Sequence, residues 1–127
     1  LRNIIKEEIR NISQTKQYGQ SILNKFANGY KIRDIDISNR LKGWKFTIEA
    51  FPKKFNLGNC DYKNKEIAIV LNLALNGEQQ DIDAVILHEI AHAIIGPGHR
   101  HDKYFQAIAH EIGANPTRYH KLLNHID

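Results

Sequence analysis

The stretch that most constrains this chain runs from residue 82 to residue 98. Ile82, Val85, Ile86, Leu87, Ile90, Ala91, Ala93, Ile94 and Ile95 cover nearly every direction of a helix, which predicts burial on most sides. His88, Glu89 and His92 are the polar exceptions. Buried polar groups need partners. Gly96-Pro97-Gly98 is a strong terminator, so the helix is expected to stop near Ile95.

The rest of the pattern is mixed. Leu1, Ile4, Ile5, Ile9 and Ile12 recur at helical spacing, predicting an N-terminal packing helix that ends at Asn28-Gly29 and is interrupted around Gly19. Ile35-Asp36-Ile37 alternates, and Trp44, Phe46 and Ile48 share one face of a strand that ends by Pro52. Gly58-Asn59 reads as a turn, and residues 66 to 71 as a mostly buried strand. A small antiparallel sheet of two to four strands follows. Asn76 and Gln79 resemble a capping box opening the apolar helix. Asp102 is placed to cap a helix reaching Gly113, and a short last helix is expected over 117–125. The fold class is therefore α+β, in one domain: a helical and extended lead-in over 1–39, a core over 40–115 and a C-terminal helix over 116–127.

With 42% hydrophobic and 25% charged residues the composition is that of a soluble domain. No apolar run approaches the roughly 18 residues that span a membrane, so no membrane partner is expected. No signal peptide is visible, and the one cysteine, Cys60, suits a reducing compartment; it is read as a buried structural residue. An intracellular location follows, in the cytoplasm or beside the nucleoid or nucleus, and the Ile-, Asn- and Lys-rich composition suits an AT-rich source, a virus or phage included. The chain begins at Leu1 and lacks methionine, so it is expected to be a processed product or a fragment. Its net charge of +4 is spread in small clusters, Lys53-Lys54, Lys63-Asn64-Lys65 and His99-Arg100-His101. Such a surface attracts nucleic acid, although a merely solvated face is the commoner meaning.

His88 and His92 are four apart, so both imidazoles project from one helix face and reach one ion at roughly 2 Å. Glu89 lies about 100° round the helix, within reach of a water on that ion. With seven His and seven Glu in 127 residues, chance yields about 0.02 His-Glu-x-x-His motifs per chain. Three residues compete to be the third ligand: His99, His101 and Glu111. Phe105, Ile108, Ala109 and Ile112 form the inward stripe of the next helix. His101 projects within about 40° of Phe105, whereas Glu111 lies about 120° away. His101 is best placed, with His99 and Glu111 as the alternatives. The pattern with Gly and His at later three-residue intervals does not fit, since Ile95 and Gly98 stand there.

These residues resemble the SprT-like (Spartan-type) zinc metalloprotease domain over about residues 40–115. The resemblance rests on Leu41-x-Gly43-Trp44, Leu57-Gly58-Asn59-Cys60-Asp61-Tyr62 leading into Ile67-Ala68-Ile69, His88-Glu89-Ile90-Ala91-His92-Ala93, His101-x-x-x-Phe105, and Ile112-Gly113. It implies a zincin-like metalloprotease core with a small antiparallel sheet and an HExxH helix followed by C-terminal helices. It also implies one catalytic Zn2+ held by His88, His92 and His101, with Glu89 as general base. Asp102 replaces a glycine common in the family, which a helix-capping role accommodates. Many relatives carry a cysteine-rich ribbon or DNA-binding extension after the core, and with one cysteine such a module is expected to be absent here or removed.

The implied function is a zinc-dependent endopeptidase acting on protein or peptide substrates, including proteins associated with or crosslinked to DNA, with DNA as a further partner. Three neutral histidines leave a fourth zinc position for water, and Glu89 would take its proton. His99, Arg100, Tyr104 and Tyr119 are the candidates to contact substrate or stabilise the oxyanion, and the strand at 66–71 to pair with an extended substrate. The competing functions are a non-catalytic zinc-containing interaction or virion/assembly domain, and a zinc hydrolase for a non-peptide substrate.

Overall fold

Helix α1 (Arg2–Ala27) opens the computed structural model, which describes residues 2–50 and 57–114, with side chains from residue 12 onward. The strand end at Pro52, the side chains of Leu1, Ile4, Ile5 and Ile9, the expected helix over 117–125 and Tyr119 lie outside the described residues. Helix α1 runs unbroken through Gly19 and stops before Gly29, which takes φ +76°. Gly19 does not interrupt the helix; it lets the helix lie flush on the sheet. A Cβ there would come 2.3 Å from Cε2 of Phe46. Alanine at this position would push α1 away, an overpacking effect of about 1–3 kcal/mol. Gln20 fastens the same contact by accepting a hydrogen bond from the Phe46 backbone N–H at 2.8 Å.

A two-stranded ribbon follows, β1 (Lys31–Ile32) and β2 (Ile35–Asp36), then a 3-10 turn at Ser38–Leu41. The main sheet comprises β3 (Lys45–Glu49), β4 (Gly58–Asp61) and β5 (Glu66–Val70), in the order β3-β5-β4. Strand β4 pairs antiparallel with β5, but β3 runs parallel to it, with Phe46 opposite Ile67 and Ile48 opposite Ile69. The sheet is therefore mixed where a purely antiparallel one was expected. Side-chain alternation fixes which residues face the core and carries no information on the partner's direction. Strand β5 is central and its Ile67, Ala68, Ile69 and Val70 are all buried, as a strand covered on both faces must be. It has no edge to offer a substrate; among the described residues, β4 has.

Gly58-Asn59 lies inside β4 and makes no turn. A Cβ on Gly58 would sit 2.6 Å from Val85 Cγ1 and 3.0 Å from Glu89 Oε2, so the glycine marks a close approach of helix to strand. The expected capping box at Asn76 does not form. Leu71–Asn76 is a separate short helix, α2, in which Asn76 Nδ2 donates to Asn72 Oδ1 at 2.8 Å. The motif helix α3 (Gln79–Ile95) begins after Glu78, which supplies no side-chain cap. The apolar run from Ile67 to Leu71, across the boundary at Val70, conceals this strand-to-helix change, because its residue types suit either state.

Helix α3 packs on β4 and β5, and α4 (Lys103–Glu111) packs on α3. Near the start of α3, Tyr18 on α1 donates its hydroxyl proton to Asp83 Oδ1 at 2.6 Å. Burial first, then this bond to a carboxylate, pushes the Tyr18 phenol up to about 12. A raised phenol pKa means the neutral form is favoured on folding. Its contribution is complete below the unfolded value of about 10 and is lost as pH climbs through the folded value. Alkaline spectrophotometric titration should show Tyr18 ionising late, near pH 12. Tyr18→Phe should remove that late phase; its persistence in the variant would disprove the assignment.

Candidate metal centre

Helix α3 carries His88, Glu89 and His92 into the interior, where they are exposed by only 2%, 0% and 8%. They are the only buried polar or charged residues among those described. The chain reverses through Gly96 and Gly98, at φ +89° and +91°, a left-handed backbone that glycine adopts without strain. Asp102 then caps α4, its Oδ1 accepting from the Phe105 N–H at 2.9 Å. That cap fixes the direction of α4 and places His101, the residue just before it, over the motif helix.

His101 Nε2 lies 3.0 Å from His88 Nε2 and 3.2 Å from His92 Nε2. Tetrahedral ligation at about 2.0–2.1 Å separates ligand nitrogens by about 3.3 Å, so the spacing suits one small cation. A shared proton could serve one nitrogen pair; a central cation serves all three. Phe105, 1% exposed, holds the rings from beneath, with centroids 4.9, 4.4 and 5.0 Å from those of His88, His92 and His101. Glu89 is enclosed between α3 and β4, and the missing side chain of Gly58 leaves room for its carboxylate.

The structure thus brings His88, His92 and His101 into one group with ligand atoms within 4.8 Å of one another, and places the two alternatives elsewhere. His99 Nδ1 meets Asp102 Oδ2 at 2.8 Å. The Phe105 N–H, and next this imidazole, hold the Asp102 carboxyl below its usual value. Glu111 stands at the far end of α4, 3.5 Å from Arg33.

A cleft of about 520 Å³ opens beside the histidines, lined by Cys60, Tyr62, His92, Pro97, Gly98, His99, Arg100 and His101. Tyr104 is not in this lining; it is 55% exposed, its ring edge-to-face with His99 at 5.7 Å. Cys60, expected as a buried structural residue, is half-buried and lines the cleft wall. Tyr62 has a role that the sequence does not reveal. Its hydroxyl donates to the carbonyl oxygens of His92 and Gly96, at 2.9 and 3.3 Å, and its ring packs edge-on against Trp44 at 6.0 Å. It clamps the end of α3 that carries His92. It stands in the turn just after β4, where no sequence pattern marks it.

These features define a class: an α+β domain whose helix-borne histidine pair is joined by a third histidine, with ligand atoms close enough to suit one metal ion. The SprT-like family model matches residues 15–125, and the chain belongs to that family of metalloprotease-like domains. No curated protein and no solved structure matched the chain. No helix among the described residues is long and apolar enough to cross a membrane.

Proposed function

We propose that this domain is a zinc-dependent endopeptidase, with His88, His92 and His101 as metal ligands and Glu89 as general base. The convergence of three imidazole Nε2 atoms, at 3.0 and 3.2 Å from the shared His101, carries the proposal. A bound zinc ion would supply Lewis acidity, polarising a carbonyl and making water nucleophilic near neutral pH. The protein's own groups do the rest. Glu89 takes a proton from the attacking water and returns it to the departing amine nitrogen. Phe105 fixes the ring positions, and Tyr62 fixes the helix end. Strand β4, at the sheet edge among the described residues, can align an extended substrate along the cleft that Cys60 and Tyr62 line. His99 and Arg100 are the polar groups within the cleft available to the oxyanion; Tyr104 would have to swing in.

A purely structural zinc site, as in an interaction or assembly module, has no use for a fully buried glutamate beside its ligands. Proteins associated with DNA are the substrates this family and the net charge of +4 favour, and the single cysteine suits an intracellular setting. The test is cleavage of an unfolded protein by the zinc-loaded domain, with and without DNA. A chelator should stop cleavage and added zinc should restore it. Absence of cleavage by the zinc-loaded protein, or cleavage indifferent to chelation, would contradict the proposal.

A further inference from the structure

Charge is distributed unevenly along α3. Its first turns carry Asp81 and Asp83, following Glu78, whereas the metal cleft opens at its other end. Those ends are about 25 Å apart at 1.5 Å per residue over 17 residues. At the cleft end, Lys63 follows the cleft residue Tyr62, and the Lys45 N–H bonds the Lys65 carbonyl at 3.0 Å, gathering three lysines there. Asp61 and Glu66 share this end of the sheet, but Asp61 accepts from the Asn64 backbone N–H and amide at 3.1 and 2.8 Å. Among the described residues the lining of the cleft holds one permanent cation, the exposed Arg100, and no carboxylate. Asp102 stands just outside it, its Oδ2 engaged by His99.

We infer that Arg100 makes this cleft selective for acidic peptide segments, pairing with an aspartate or glutamate of the substrate close to the bond presented to the metal centre. The inference rests on the endopeptidase reading and specifies its substrate class. Arg100 immediately precedes the ligand His101, so a carboxylate on its guanidinium would be held within a residue or two of the reacting carbonyl. The planar guanidinium can take a carboxylate on two N–H groups at once. A nucleic acid fits the cleft less well. Its affinity comes from several phosphate contacts together; among the described lining residues one cation, flanked by Cys60, Tyr62 and Pro97, provides a single such contact, and Lys45, Lys63 and Lys65 stand outside that lining. A peptide needs only one charged anchor and apolar walls for its neighbouring side chains.

The test uses the zinc-loaded Glu89→Gln protein, which holds a peptide without cutting it. Binding of a labelled glutamate-rich peptide is compared by fluorescence anisotropy with that of the same peptide carrying lysine at each glutamate. The acidic peptide should bind about fivefold or more tighter, as for one partly exposed ion pair, and the preference should shrink with added salt. Arg100→Ala should remove the preference, Arg100→Glu should invert it, and Arg100→Lys should restore part of it. Lys16→Glu makes the same charge change as Arg100→Glu on α1, near the acidic end of the molecule, and should leave the preference intact. Equal binding of the two peptides, or a preference unchanged in Arg100→Ala, would overturn the inference. So would an oligonucleotide that displaces the acidic peptide and binds more tightly through Arg100, which would reassign the cleft to nucleic acid. Selective binding without cleavage by the wild-type protein would sink the endopeptidase reading alone, whereas cleavage without selectivity would sink only the role of Arg100.

Discussion

Glu89→Gln is expected to bind zinc as the unaltered protein does and to lose peptide cleavage by about 10²–10⁴-fold, the usual contribution of a positioned general base. The substitution preserves shape, so the packing of Glu89 against Gly58 survives. What it removes is the only buried carboxylate among the described residues. Zinc content by elemental analysis, read alongside turnover of one peptide, separates the two effects. Equal cleavage by variant and wild type would refute the role given to Glu89. Loss of both zinc and cleavage would instead make Glu89 part of what holds the metal.

His101→Ala should release the metal, because two histidines on one helix cannot enclose an ion alone. Loss of groups that merely support a ligand typically costs about 10–100-fold in metal affinity, and loss of the ligand itself should exceed that. His99→Ala should keep its zinc, since its imidazole is turned to Asp102 and lies outside the group of three. Glu111→Ala should also keep it, sacrificing only the contact with Arg33. Zinc competition with a chromophoric chelator measures all three variants. Tight binding in His101→Ala together with loss in His99→Ala would reverse the assignment.

Much of this site is legible in the sequence. His88 and His92 follow from helical spacing, and burial of their helix follows from its apolar surround. The inward projection of His101 depends on one local fact, the helix start that Asp102 caps, and the structure contains that cap. What the sequence left open has physical causes too. The direction of β3 against β5 leaves no trace in alternation, so a parallel pair was missed. The change from β5 to α2 lay within a largely apolar run, where the strand period and the helix period look alike. The central position of β5 moved the candidate substrate edge to β4, because burial of a strand can be read locally while its neighbours cannot. Tyr62 was hidden for a similar reason. Its hydroxyl partners are carbonyls 30 and 34 residues away, and only the fold brings them together.

The central claim is that three imidazoles of this chain hold one zinc ion. Zinc-edge X-ray absorption on the purified protein tests it most directly, because nitrogen and sulfur neighbours lie at distinct distances. The account predicts one zinc per chain with three imidazole nitrogens at about 2.0–2.1 Å and no sulfur in the first shell. A sulfur neighbour at about 2.3 Å would show that Cys60 has taken a ligand position, and fewer than three imidazoles would show that His101 does not close the site.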